Sequence, residues 1–408
     1  MNVCRACKRK KLMMFLPLGL HPLAQNFLNK NQLNKPEYLC PLDTYVCLSC
    51  GLIQVCDCVP PDYFRNYLYV SSTINTMLKH FSDFADSLAA EFGTSPDLLT
   101  VDIGCNDGLL LKSLDRKGVK TLGVDPARNV NEIVRREGLN IINEYFASGL
   151  ATKIKKEYGS AAVIVTANTF HHISDLDSFM DGVCILLKDK GVFIVEVPHA
   201  MEIMEQNEFD GIYHEHVSQF TVKSMVDLCN RFDMEVFRID TFEVHGGSMR
   251  FFIRRKESDE LSEAISEWIT KENKRGLFQA STYEAFHRRV KSMKVELMDL
   301  LRRLKQEGNN LVGYGASARG NTLLNYYGIG TDLMDYIVDR NTLKHGLYSP
   351  GMHIPVCPVE KILKDRPDYV LALAWNFSKE IIKQQEEYLS LGGKFILPIP
   401  ELSILEHS

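Results

Sequence analysis

The chain has 408 residues, 45% of them hydrophobic, enough for two or three domains with full cores and too apolar for extended disorder. A formal net charge of -5, with no long basic stripe carrying interleaved aromatics, excludes an electrostatic footprint for nucleic acid. No apolar run reaches the ~18 residues that span a bilayer. Met1-Asn2-Val3-Cys4-Arg5-Ala6-Cys7 also lacks the apolar core of a signal peptide, so a cytoplasmic protein with neither nucleic-acid nor membrane partners is expected.

Seven of the eleven cysteines fall within the first 58 positions: Cys4, Cys7, Cys40, Cys47, Cys50, Cys56 and Cys58. In a reducing compartment such a cluster holds metal in preference to forming disulfides. Cys4-Arg5-Ala6-Cys7 and Cys47-Leu48-Ser49-Cys50 are C-x2-C knuckles, the spacing that turns two thiolates toward one tetrahedral ion. Four thiolates close the shell and leave no position for substrate, so the expected metal is structural zinc on Cys4, Cys7, Cys47 and Cys50, with Cys56 or Cys58 as possible replacements. Cys105, Cys184, Cys229 and Cys357 stand singly among apolar neighbours and read as small core residues.

After a break at Ser95-Pro96, Leu98 to Gly104 reads as a strand covered on both faces. It runs into Gly104-Cys105-Asn106-Asp107-Gly108 and then a helical pattern from Leu109. A second strand ends at Asp125, seventeen residues beyond the turn, where a carboxylate accepts both hydroxyls of a ribose. Pyrophosphate and S-adenosylmethionine both use this geometry, and Asp102 discriminates. A carboxylate beside the turn repels a pyrophosphate but suits the cationic methionine end of S-adenosylmethionine, and the Asp-x-Gly-x-x-x-Gly arrangement resembles the first motif of class I methyltransferases. Asp102, Gly104, Asn106, Gly108, Asp125 and Asn168, the last at the end of the strand Ala161–Asn168, make the expected cofactor set. His171 and His172 follow as lining of the cofactor site, and Gly191–Pro198 gives the next strand.

The segment from Phe209 to Phe220 concentrates Tyr213-His214-Glu215-His216. H-x-H on a strand binds zinc only with a third ligand, and none follows at short helical spacing, so acid-base chemistry is the better reading, with a neighbouring carboxylate fixing the histidine tautomer. His245-Gly246-Gly247-Ser248 precedes a strand, Met249–Ile253, and residues 258 to 308 read as charged helices linking domains. A second strand and Gly-rich turn, Asn310–Gly315, is followed by a strand ending at Asp339, nineteen residues after Gly320. Read alone, this fits an NAD-dependent nucleotide-sugar oxidoreductase. The cysteine pairs alone fit a non-catalytic zinc-knuckle assembly protein with a degenerate methyltransferase core.

Taken in order, the knuckles, Asp102–Gly108, Tyr213–His216, Val244–Arg250, Gly313–Thr322 and Ala374-Trp375-Asn376 resemble the nucleotide-sugar C-methyltransferases that make branched-chain deoxysugars, over residues 1 to 405. The resemblance implies an α/β protein of three parts. These are a small zinc-binding domain (1–68), a central class I methyltransferase, Rossmann-like domain (69–240), and a C-terminal Rossmann-like domain (241–408) that binds the nucleotide sugar. It further implies a 4-keto-6-deoxyhexose on dTDP as substrate, methylated by S-adenosylmethionine through an enolate, with C3 preferred as the site. His216 matches the family's general base, Glu215 and Tyr213 orient base and sugar, and Tyr69 or Tyr67 stabilises the oxyanion. His214 and His245 are expected on the sugar. Gly315, Ser317, Arg319 and Asn321 are expected at the pyrophosphate, which the helix amino terminus after Gly315 would receive.

Overall fold

The computed structural model describes residues 3–60, 62–95, 97–242, 247–258 and 260–406. The amino-terminal domain has too few apolar residues for a large core and folds as short strands around the knuckles. These are β1 (Leu12–Leu16), β2 (Leu20–Pro22), β3 (Leu39–Pro41), β4 (Thr44–Cys47) and β5 (Ile53–Gln54). β1, β4 and β5 form a small antiparallel sheet, and β2 pairs with β3. A linker through Tyr63–Tyr69 then leads to α1 (Asn75–Phe92).

The central domain alternates strand and helix, as its runs of Val, Ile and Leu require. It comprises β6 (Thr100–Ile103), α2 (Leu109–Asp115), β7 (Thr121–Val124), α3 (Arg128–Arg136), β8 (Ile141–Ile142), α4 (Ser148–Tyr158), β9 (Ala161–Ala167), α5 (Leu176–Leu186) and β10 (Leu187–Pro198). There follow α6 (Ala200–Glu205), the short strand β11 (Ser218–Gln219), α7 (Val222–Asn230), β12 (Met234–Phe242) and β13 (Ser248–Arg255). Among the described residues the sheet order is β12-β13-β10-β9-β6-β7-β8, parallel except for β13, which runs antiparallel to both neighbours. This is the class I methyltransferase topology, and β6 sits at its switch point, where the order reverses and a crevice opens at the strand ends.

The central sheet continues across the expected boundary at 240: β12 runs through it, and β13 adds to the sheet by pairing Phe193–Pro198 with Ser248–Ile253. Arg250 explains the placement: its guanidinium donates to buried Glu196 on β10 at 2.6 and 2.9 Å, and Glu196 also meets His80 of α1 at 2.6 Å. A buried carboxylate needs such partners.

Residues 258–308 contain α8 (Glu263–Lys274) and α9 (Ala280–Gln306). They are more than solvated linkers. α9, about 40 Å long at 1.5 Å per residue, buries Tyr283, Phe286, Val290, Leu297, Leu301 and Leu304 along one stripe. Tyr283 and Phe286 pack on Phe15 of β1 with ring centroids 4.9 and 6.2 Å apart. Glu272 of α8 is buried and accepts from His199 at 2.8 Å and from the Lys223 amide at 3.1 Å, capping α7 from outside.

The last domain comprises β14 (Leu311–Tyr314), α10 (Ala318–Tyr327), β15 (Ile337–Val338), β16 (Val356–Cys357), α11 (Lys361–Asp365), β17 (Tyr369–Ala372), α12 (Ser378–Gln384), α13 (Glu386–Ser390), β18 (Lys394–Leu397) and β19 (Ser403–Leu405). Its sheet order is β16-β15-β14-β17-β18-β19, with β14 at a second switch point and only β19 antiparallel. Among the described residues no helix is long and apolar enough to cross a membrane.

Candidate active site

β11 pairs with β5 of the amino-terminal domain, which pins the Tyr213–His216 strip where all three domains meet. Arg5 of the first knuckle reinforces the seam, donating to the carbonyls of Val217 and Val55 at 2.6 and 2.7 Å. The carboxyl ends of β6, β9, β10, β14 and β17 face one continuous cavity of about 680 Å³. Asp102, Asp125 and Asn168 line one end, Tyr69, Tyr213 and His216 the middle, and Gly315, Ser317, Arg319 and Lys344 the other.

At the first end, burial together with the charge of Asp125 pushes the Asp102 carboxyl up to about 8. Burial also raises Asp125, against the amides of Asn106 and Ala127 that donate to it at 2.9 and 2.7 Å. No cation is among the groups that shift Asp102. Asn168, held at φ 54°, keeps both side-chain polar atoms buried without a protein partner. Desolvated carboxylates and an unsatisfied amide fit a cationic, hydroxyl-bearing ligand such as S-adenosylmethionine. Gly104 has φ +78°, and a Cβ there would lie 2.1 Å from Thr169 Oγ1, so only glycine lets the turn pass. Asn106 borders the cavity, but its side chain holds the linker, accepting from Ser71 N at 3.1 Å and donating to Tyr69 O at 3.1 Å. Gly108 caps α2 in the left-handed region and does not line the cavity.

In the middle, the backbone turns at the strip, with His216 N donating to Tyr213 O at 2.9 Å. That turn packs Tyr213 on His216, ring centroids 3.8 Å apart, while Glu215, which also lines the cavity, turns to other partners. The Gly211 carbonyl accepts from His216 Nδ1 at 2.9 Å, so Nδ1 carries the proton and Nε2 accepts from the Tyr213 hydroxyl in a short hydrogen bond. Burial, His171, His172 and Arg319 hold the imidazole well below its ordinary range, hence neutral. The expectation that Glu215 orients this base is therefore corrected. Its two oxygens accept from Tyr63 at 2.8 Å and Tyr67 at 2.6 Å, and burial raises it to about 7. Tyr67 is committed to Glu215, leaving Tyr69, which borders the cavity.

Two further histidines, judged from sequence to be lining, pack on the base: His171 with a ring centroid 4.1 Å from His216 and His172 at 5.0 Å. The three bring ring nitrogens within 4.8 Å of one another, the third ligand that short-range spacing did not supply. Both nitrogens of His216 are nonetheless engaged, which favours proton transfer over metal. Tyr63 was missed altogether, because no local pattern joins it to a partner 152 positions away.

At the far end the structure redirects several expected phosphate ligands. Arg319 is buried, donates to Glu208 at 3.0 Å, lies 3.8 Å from Asp210 and stacks 5.4 Å from Trp375. Its charge answers internal carboxylates, as a desolvated ion requires. Asn321 donates to Ala24 O at 2.6 Å and does not line the cavity. Ser317 caps α10 by accepting from Gly320 N at 3.0 Å, and Gly315 abuts Ala374, whose Cβ would stand 2.5 Å from an added one. Lys344, which the sequence reading passed over, lines the cavity and donates to Ala316 O at 2.7 Å. His214 borders the cavity, yet its Nε2 donates to Cys40 O at 3.1 Å, toward the amino-terminal domain. His245 lies outside the described residues.

The knuckles come together as expected. The thiols of Cys4, Cys7, Cys47 and Cys50 lie within 4.8 Å of one another, with Cys4–Cys50 and Cys7–Cys47 sulfurs each 3.6 Å apart. Tetrahedral zinc with Zn–S near 2.3 Å places its sulfurs about 3.8 Å apart, so the cluster fits the ion. Neither replacement ligand takes part: Cys56 is exposed, and Cys58 forms a disulfide with Cys40.

Comparisons with known proteins match three successive segments of the chain. A C-methyltransferase C-terminal domain model matches residues 243–400, a methyltransferase domain model residues 77–239, and a zinc binding domain model residues 4–64. The C-methyltransferase NovU of Streptomyces niveus is 33% identical over 404 residues, 98% of this chain and 96% of its own. A ubiquinone biosynthesis O-methyltransferase of Chelativorans sp. (strain BNC1) is 27% identical over 125 residues, 27% of this chain and 47% of its own. Among solved structures, a SAM-dependent methyltransferase from Anabaena variabilis aligns at 17% identity and a TM-score of 0.34 over 46% of this chain and 93% of its own. Full-length identity to NovU and three successive domain matches place this chain in the C-methyltransferase family, an enzyme family with a class I methyltransferase domain and a zinc-binding amino-terminal domain.

Proposed function

We propose that this enzyme transfers the methyl group of S-adenosylmethionine to C3 of a dTDP-linked 4-keto-6-deoxyhexose through an enolate. The observation that carries the reading is the buried Tyr213–His216 pair, which lies in one cavity between two acids that await a cation and a second Rossmann-like switch point. Bound S-adenosylmethionine supplies an electrophilic methyl on a sulfonium.

The chain's residues do the rest. Asp102 and Asp125 hold the cationic and ribose parts of the donor, and Asn168 takes one of its polar groups. Neutral His216 takes the C3 proton through the Tyr213 hydroxyl, which already donates to Nε2. Its depressed pKa keeps the imidazole neutral and so free to accept a proton, while the neighbouring ketone acidifies the proton to be removed. Tyr69, pushed up to about 12 by burial and Asp107, stays protonated and donates to the enolate oxygen. Lys344, 4.0 Å from Asp339 and donating to Ala316 O beside the second turn, supplies the cation near the pyrophosphate, while Arg319 is held closer to Glu208 at 3.0 Å. Zinc on the four cysteines stays outside the reaction and fastens the strip's neighbour. The nicotinamide oxidoreductase and non-catalytic readings fall with membership of the C-methyltransferase family.

The test is isotope exchange. Incubated in D2O with dTDP-4-keto-6-deoxyglucose and S-adenosylhomocysteine, the enzyme should exchange the C3 proton, and His216→Ala should not. Exchange at C5 alone would reject the regiochemistry, and none at any carbon would reject the enolate.

A further inference from the structure

We propose that Cys40, Cys58 and His214 form a second metal site, of the zinc class, when the two cysteines are reduced. The inference does not rest on the methyl-transfer reading. Both sulfurs and one ring nitrogen of His214 lie within 4.8 Å of one another, although the three residues come from β3, the linker toward Tyr63 and the Tyr213–His216 strip. No C-x2-C spacing announces the group, since Cys40 and Cys58 are 18 positions apart.

His214 is already prepared as a ligand. It is 1% exposed. Its Nε2 faces the Cys40 carbonyl, which only accepts, so Nε2 carries the proton and the lone pair sits on Nδ1. Nδ1 is buried with no hydrogen-bond partner, an arrangement costly for a core histidine and ordinary for one whose second nitrogen meets a metal. A histidine oriented through its outer N–H by a backbone carbonyl is the usual support for a metal-bound imidazole. The Tyr38 hydroxyl donates to Cys58 O at 3.0 Å, holding the opposite side. Two thiolates and a neutral imidazole balance a divalent cation and leave the fourth tetrahedral position to water.

In the structure the two sulfurs form a disulfide. An added phosphine reduces it: the S–S bond takes two electrons from phosphorus, and one water supplies the two thiol protons and the oxygen of the phosphine oxide. Zinc binding then displaces the two thiol protons. The ion would tie the linker that carries Tyr63 and Tyr67 to the strip that carries Glu215.

Metal content decides it. Full-length protein is reduced with a phosphine, given excess Zn2+, desalted and analysed for zinc per chain. The expected values are two equivalents for reduced wild type, and one after oxidation with a low-molecular-weight disulfide or in reduced Cys40→Ser/Cys58→Ser. His214→Ala should likewise lose the second equivalent. With Co2+, reduced wild type minus the double variant should leave a tetrahedral spectrum with about half the thiolate charge-transfer intensity of a Cys4 centre, as two sulfurs replace four. One equivalent in reduced wild type overturns the proposal, as do two in the oxidised protein. The comparison of reduced with oxidised wild type stands even if the variants fail to fold.

Discussion

Asp102 offers a prediction that can be worked in numbers. With its carboxyl held near 8 by burial and by Asp125, Asp102 carries a proton at neutral pH before the donor binds. The cationic end of S-adenosylmethionine favours the carboxylate, so binding expels that proton. At pH 7 an acid of pKa 8 is about ten-elevenths protonated, so close to 0.9 proton should leave per donor bound. The penalty for ionising it weakens binding about 11-fold at pH 7 and about 100-fold at pH 6, so the dissociation constant should rise about 9-fold between them. Calorimetry in buffers of different ionisation enthalpy reads the proton count directly. Asp102→Asn should abolish the release and weaken donor binding. Buffer-independent heat in wild type, or a pH-independent affinity between 6 and 7, would refute the placement of the cation beside Asp102.

His216→Ala should cut turnover by about 100-fold to 10,000-fold with donor affinity unchanged, and Tyr213→Phe should slow proton removal in the same assay, since the hydroxyl links substrate to Nε2. Arg319→Ala should destabilise the fold by about 3 to 5 kcal/mol in urea titration, because it strands Glu208 and Asp210 as unpaired buried carboxylates. Loss of nucleotide-sugar affinity with stability intact would instead return Arg319 to the phosphate. Glu215 is raised from its ordinary value to about 7, so its contribution to stability is full below the unfolded value near 4.3 and is lost as pH rises through 7. That loss is at most about 4 kcal/mol, and Glu215→Gln should flatten the stability–pH curve over this window. Cys47→Ser should release one equivalent of zinc and render the amino-terminal segment protease-sensitive, measured by metal analysis and limited proteolysis.

Local patterns carried the parts of the fold that are local. The knuckles, both strand-turn-helix units and the central strands ending near Gly104, Asp125, Asn168 and Pro198 were legible because thiol spacing and apolar runs are short-range signals. What was not legible depends on pairing across the chain. β13 joins the central sheet through Arg250 and Glu196, 54 positions apart, and no composition change marks that crossing. Glu215 looked like the partner of His216 because they are adjacent, but a turn directs them apart, and Tyr63 and Tyr67 claim the carboxylate. Arg319 read as a phosphate ligand by its place after the second turn, whereas two buried acids from residues 208 and 210 fix its role.

The central claim is carbon methylation of a keto sugar, and one product analysis addresses it. The enzyme is incubated with dTDP-4-keto-6-deoxyglucose and S-adenosylmethionine labelled with 13C at the methyl, and the product is examined by NMR. The account predicts a labelled methyl bonded to C3, with the C3 proton lost. Label on oxygen, or on another carbon, would contradict it.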